Sequence, residues 1–140
     1  MKQRTLGASG LKVSLLGLGC NNFGLRIDTE VSREVIHKAL DLGITLFDTA
    51  NVYGNRGGSE TCLGQFLGDR RKDIILASKF GSPMDDARTM MGGSRRYIMA
   101  AVEASLRRLK TDRIDLYQLH RVDPLTPVEE TLRALDDLVT

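Results

Sequence analysis

Short apolar runs alternate with amphipathic stretches along most of this chain, and that alternation restricts the fold more than any other feature. Four runs are compatible with buried strands: residues 14–19, 44–47, 73–79 and 113–120. Residues 29–42 follow a helical pattern through Val31, Val35, Ile36, Ala39, Leu40 and Leu42, with Gly43 placed to stop it. A second helix is predicted to begin near Ser59 and Glu60, to bury Leu63, Phe66 and Leu67, and to stop at Gly68. Ser94 caps a third that runs to Leu109, with Ile98, Ala101, Val102, Ser105, Leu106 and Leu109 on one face and Arg95, Arg96, Arg107, Arg108 and Lys110 as a solvated face. In the fourth, Thr126 is the N-cap, Pro127 the first helical residue and Glu129 the partner in a T-x-x-E capping box. Its buried face is drawn from Leu132, Leu135, Leu138 and Val139. A hairpin over residues 3–13, turning at Gly7-Ala8-Ser9-Gly10, precedes these units. Strand and helix in this order imply a parallel α/β sheet joined by right-handed crossovers. No compositional shift marks a linker, so residues 1–140 are expected to form one domain.

Composition excludes several classes of partner. With 20 basic and 18 acidic residues the net charge is +2, too even for a nucleic-acid or anionic-membrane surface. Cys20 and Cys62 have no metal-ligand spacing between them, which points to a reduced, cytoplasmic setting and no metal site. Lys2 and Arg4 precede an apolar region, but Lys12 and Ser14 interrupt it and no small-residue cleavage pattern follows, so a signal peptide is not expected. No run approaches the roughly 18 apolar residues of a membrane span. Gly17-x-Gly19 lacks the third glycine of a dinucleotide fingerprint at position 22, which makes a Rossmann unit a poor reading.

Period-two alternation brings chemistry to one edge. Ile44 and Leu46 should share a face with Asp48, Ile75 and Ala77 with Lys79, and Ile114, Leu116 and Gln118 with His120. Three consecutive strands would then raise a carboxylate, an ammonium and an imidazole at one C-terminal edge, with Tyr53 in the first loop beyond it. A phenol is a poor proton donor near neutrality, and an adjacent ammonium brings it towards the working range. Asp48 can hold Lys79 charged and oriented, while His120 can hydrogen-bond a polarised carbonyl oxygen beside the phenol. Such a site protonates an oxygen while another group supplies an electron pair to carbon, as in hydride transfer from a nicotinamide.

These residues resemble the aldo-keto reductases. The resemblance rests on F-D-T-A-x-x-Y-G at residues 47–54, S-K-F at 78–80, D-L-Y-Q-L-H at 115–120 and G-L-G-x-x-x-F-G at 17–24. It runs from about residue 3 to the end and is similar, within the family, to bacterial reductases that resemble potassium-channel β subunits. It implies a catalytic tetrad of Asp48, Tyr53, Lys79 and His120: Tyr53 donates the proton, Lys79 with Asp48 tunes it, His120 orients a small-molecule carbonyl substrate, and NADPH delivers the hydride. Cys20, Asn21 and Asp48 match positions that touch the nicotinamide end of the cofactor, although Cys20-Asn21 departs from the commoner Thr-Trp pair.

The resemblance also implies a (β/α)8 barrel of roughly 250 residues, of which this chain supplies the hairpin and four β-α units. Leaving Ile44, Leu46, Ile75, Ala77, Ile114 and Leu116 uncovered would forfeit about 10 kcal/mol, comparable to the stability of a whole domain. The strands at either side would also present unpaired edges. The remainder of a barrel or a second half-barrel chain is therefore expected to cover the open face. Two other functions fit the same residues: a redox-sensing regulatory subunit that keeps its cofactor, and a half-barrel assembly module without catalysis.

Overall fold

The computed structural model describes residues 1–139. Strands β1 (Gln3–Thr5) and β2 (Lys12–Ser14) pair antiparallel as a hairpin. A parallel sheet follows, in the order β3 (Gly17–Gly19), β4 (Leu46–Asp48), β5 (Ile75–Phe80) and β6 (Leu116–Leu119). Helices α1 (Thr29–Asp41), α2 (Tyr53–Phe66), α3 (Arg95–Leu109) and α4 (Val128–Val139) follow the four parallel strands in turn. Spatial order equals chain order, so each crossover joins neighbouring strands, and the shared hand of the crossovers puts the helices on one face.

Register decides what each face carries. Gly19, Asp48, Ala77 and Leu116 stand in one row, and Lys79 lies beside Gln118. The alternate residues Phe47, Leu76 and Phe80 are fully buried under the helices. One core cluster joins Phe47 and Leu76 to Ile36, Ala39, Leu40, Leu63 and Leu109; a second joins Phe80 to Ile98, Ala101 and Ala134.

Several sequence expectations shift at this level. The predicted strand over residues 14–19 divides, because Ser14 ends the hairpin: Ser14 N donates to Thr45 Oγ1 and Thr45 N to Ser14 Oγ, both at 2.9 Å. Leu15 and Leu16 between the two pieces are exposed. Ile44 and Ile114 were expected on the barrel-interior face but pack against the first core cluster on the helix side. Both precede the first paired residue of their strands, Leu46 and Leu116, so period-two alternation does not yet apply to them.

Helix α1 is capped by Asp28, whose Oδ1 accepts from Val31 N at 2.8 Å. Its buried stripe is Ser32, Ile36, Ala39 and Leu40, whereas Val31 and Leu42 are exposed. Ser32 can enter the stripe because its hydroxyl donates to Asp28 O at 2.6 Å. At α4 the expected capping box is replaced: Thr126 Oγ1 donates to Asp123 Oδ2 at 2.7 Å, and Glu130, not Glu129, reaches out to accept from Arg95 N. Thr131 and Ala134 are the buried residues of α4, with Leu135 packed beside them, while Leu132, Leu138 and Val139 are exposed. Among the described residues this helix packs mainly on α3, and Ala134 with Leu135 joins the core cluster around Phe80 and Ile98.

Candidate active site

The chain beyond β4 stays extended alongside β5. Thr49 N donates to Ala77 O and Asn51 N to Lys79 O, at 2.9 and 3.0 Å. These bonds carry the backbone to the level of Lys79 before it turns, with Tyr53 N donating to Ala50 O at 3.2 Å. The turn that follows is left-handed: Gly54, Asn55, Arg56 and Gly57 have φ of 68, 57, 67 and 121°. A Cβ on Gly54 would overlap Phe23 O and Ser59 N, so only glycine fits there. Regular helix therefore begins after Gly57, in agreement with the predicted start near Ser59, and α2 is kinked where the left-handed turn meets it.

The four predicted tetrad residues meet at this edge. Lys79 Nζ donates to Asp48 Oδ1 at 2.5 Å and to Thr49 O at 2.8 Å, which fixes the ammonium above its own strand end. The same nitrogen lies 5.0 Å from the centroid of the Tyr53 ring. Tyr53 and His120 meet edge to face, with centroids 5.5 Å apart and planes at 85°. His120 is held by its backbone N–H to Phe80 O at 2.8 Å and by Nδ1 at 3.3 Å from Ser82 Oγ. The lysine side chain is 14% exposed and that of Asp48 42%, so the pair sits at a rim open on one side.

Electrostatics favour a neutral imidazole. Burial, and then the positive charges of Lys79 and Arg121, hold His120 below the usual histidine range, with Asp48 opposing. Of the predicted cofactor contacts, Asn21 is exposed directly after β3 and Asp48 is half-exposed. Cys20 has its side chain fully buried in the first core cluster, with Sγ 3.4 Å from Leu18 O, and burial pushes its thiol up.

Sequence reasoning passed over three contributors. Ser82, buried in the loop after β5, orients His120, and nothing periodic marks it. Arg108, assigned to a solvated face, instead pairs with Glu60, which is fully buried, at 2.8 Å. Gln118, beside Lys79 in register, keeps a buried Oε1 without a hydrogen-bond partner. Its face was legible from the period; its register beside Lys79 and its unmet acceptor were not.

The chain matches the aldo/keto reductase family over residues 15–140 and belongs to that family. Over 149 residues it is 40% identical to the uncharacterized oxidoreductase YrpG of Bacillus subtilis (strain 168), covering 99% of this chain and 46% of the relative. It is 41% identical over 141 residues to the L-glyceraldehyde 3-phosphate reductase of Escherichia coli (strain K12), covering 96% of this chain and 41% of the relative. It is also 39% identical over 145 residues to a probable voltage-gated potassium channel subunit beta of Arabidopsis thaliana, covering 99% of this chain and 43% of that protein. A solved aldo-keto reductase of Bacillus halodurans in its holo form superposes with a TM-score of 0.89 at 44% identity, over 99% of this chain and 46% of that one. The chain thus spans less than half the length of these relatives. Its sheet and helices are a part of the (β/α)8 barrel that the sequence resemblance implied. Among the described residues no helix is long and apolar enough to cross a membrane.

Proposed function

We propose that the protein carrying this chain reduces aldehydes or ketones to alcohols with NADPH, and that Tyr53 donates the proton to the carbonyl oxygen. The observation that carries this reading is the double engagement of Lys79, bonded to Asp48 while standing over the ring of Tyr53, with the His120 ring edge to face with that of Tyr53. Lys79 is held in place by Asp48 and Thr49 O, so its charge stays over the Tyr53 ring. His120 is held below the usual histidine range by burial and by Lys79, which favours the neutral imidazole; in the tautomer with Nδ1 accepting from Ser82 Oγ, its Nε2–H donates to the same carbonyl oxygen.

The residues present fit one end of a nicotinamide cofactor. Nothing lies within 4 Å of a Cβ built on Gly19, which leaves open space next to Asp48, and the unpartnered Gln118 Oε1 lies on the Lys79 side of the sheet. Asn21 and Asp48 would hold that end. When bound, the cofactor supplies the hydride that the proton from Tyr53 complements. The remainder of a barrel, or a second half-barrel chain, would close the open face and exclude water from the site. Two buried free thiols, Cys20 and Cys62, agree with a reducing cytoplasmic setting.

Tyr53→Phe in the intact protein tests the assignment. NADPH oxidation with a reactive aldehyde should slow by about 10²- to 10⁴-fold, the usual contribution of a positioned proton donor. Equal rates would remove Tyr53 from its role. The relative described as a channel subunit supports a second reading, a cofactor-retaining redox sensor. Slow turnover together with cofactor that survives gel filtration would favour it.

A further inference from the structure

We propose that Glu60 and Arg108 are positioning residues, a buried clamp that holds the left-handed turn after Tyr53 and thereby sets the phenol against Lys79 and His120. This inference rests on the functional reading above for its consequence in catalysis, although its structural content stands apart from it.

Glu60 is fully buried, yet all its partners are accounted for. Ser78 Oγ donates to Oε1 at 2.5 Å, Arg108 Nε donates to Oε2 at 2.8 Å, and Arg108 Nη2 is within 2.8 Å of the same oxygen. Arg108 also donates from Nη2 to Ser105 Oγ at 3.3 Å. One carboxylate therefore joins the regular part of α2, which follows the left-handed turn after Tyr53, to β5, which carries Lys79, and to α3. A buried ion pair adds little to stability over an apolar pair of the same volume, because removing both charges from water offsets their attraction. What it adds is a directional restraint that apolar contacts lack.

That restraint acts on the turn. The Arg108 stem lies against Gly57, the last residue of the left-handed segment: a Cβ there would stand 2.7 Å from Arg108 Cδ. Asn55 and Arg56 hold positive φ without being glycine, a conformation that persists only where surroundings impose it. Ser59, the next anchored residue, donates to Cys20 O at 2.7 Å and lies 2.8 Å from Thr49 Oγ1, closing the turn from its other side. Ser78 and Lys79 are consecutive on β5 and point to opposite faces, so the clamp sits directly behind the ammonium that overlies Tyr53.

The test uses the intact protein with Glu60→Gln, and with Glu60→Gln/Arg108→Met, which removes both charges so that neither is left buried alone. Two quantities are read: the nuclear Overhauser contact between the Tyr53 and His120 rings, and kcat against KM for a reactive aldehyde. The clamp predicts loss of the ring contact in both variants and a fall in kcat of tenfold or more, with KM within twofold of wild type. A retained ring contact in the double variant overturns it, whatever happens to kcat. Loss of the contact with unchanged kcat leaves the clamp standing and defeats the assignment of Tyr53 as proton donor, so the two failures are told apart.

Discussion

The two faces of the parallel sheet are made from alternate residues of the same strands, and they end in different states. On the helix side Phe47, Leu76, Ser78 and Phe80 are all fully buried, and even the polar Ser78 has a buried partner in Glu60. On the opposite side Leu46, Ile75, Leu116 and Gln118 are only partly covered, and Asp48 and Lys79 pair at the rim. The first face is completed by elements of this chain. The second carries the charged pair and is only partly covered by this chain. Strand periodicity sorts residues into two sets; what packs on each set makes one a core and the other a site.

The largest effect should come from the covered face. Phe47→Ala is expected to lower the unfolding free energy of the intact protein by about 3–5 kcal/mol, measured by denaturant titration, since its cavity lies among packed side chains. Leu46→Ala, one residue away, sharpens the contrast. If the rest of a barrel covers the open face, as proposed, it costs about 2–5 kcal/mol as for a core leucine; a cost below about 1 kcal/mol would show that face to be bare. Next comes Gly54→Ala, which places a Cβ against Phe23 O and Ser59 N in a left-handed conformation. Strain of about 1–3 kcal/mol should appear as a lower Tm, and turnover should fall because Tyr53 is the adjacent residue.

The smallest effect is in titration. His120 is held below its ordinary value, first by burial and then by Lys79 and Arg121. The folded state therefore binds a proton less readily than the unfolded chain, and the stability this contributes is present above the usual histidine pKa and is lost as pH falls through the folded value. Lys79→Met should raise the His120 pKa, read by proton NMR of the imidazole. No rise would mean that burial and Arg121 depress it without help from Lys79.

The strand ends were legible because their signals are local. Asp48, Lys79 and His120 each follow an apolar run at matching phase, and Tyr53 lies in the loop that the glycines after Asp48 announce. The third helix cap at Ser94 was legible for the same reason: its Oγ accepts from Tyr97 N, three residues on. Arg108 could not be separated from Arg107 by any local rule. Its partner Glu60 lies 48 positions away, and the two meet only once α2 and α3 pack together. The face of α4 was misjudged because four apolar residues were available to it, and contact with α3 selected only Leu135 from among them.

From its amino acids alone, this chain was committed to alternating strands and helices, to a parallel sheet and to a row of ionisable groups at one end of it. Those outcomes depend on side-chain period and turn chemistry, which act over a few residues. Folding in three dimensions settled the rest: the left-handed passage through Asn55 and Arg56, the burial of Cys20 and Glu60, and the placing of Lys79 over Tyr53. These depend on groups distant in the chain that must be desolvated together, and a burial cost is met only by partners that packing brings.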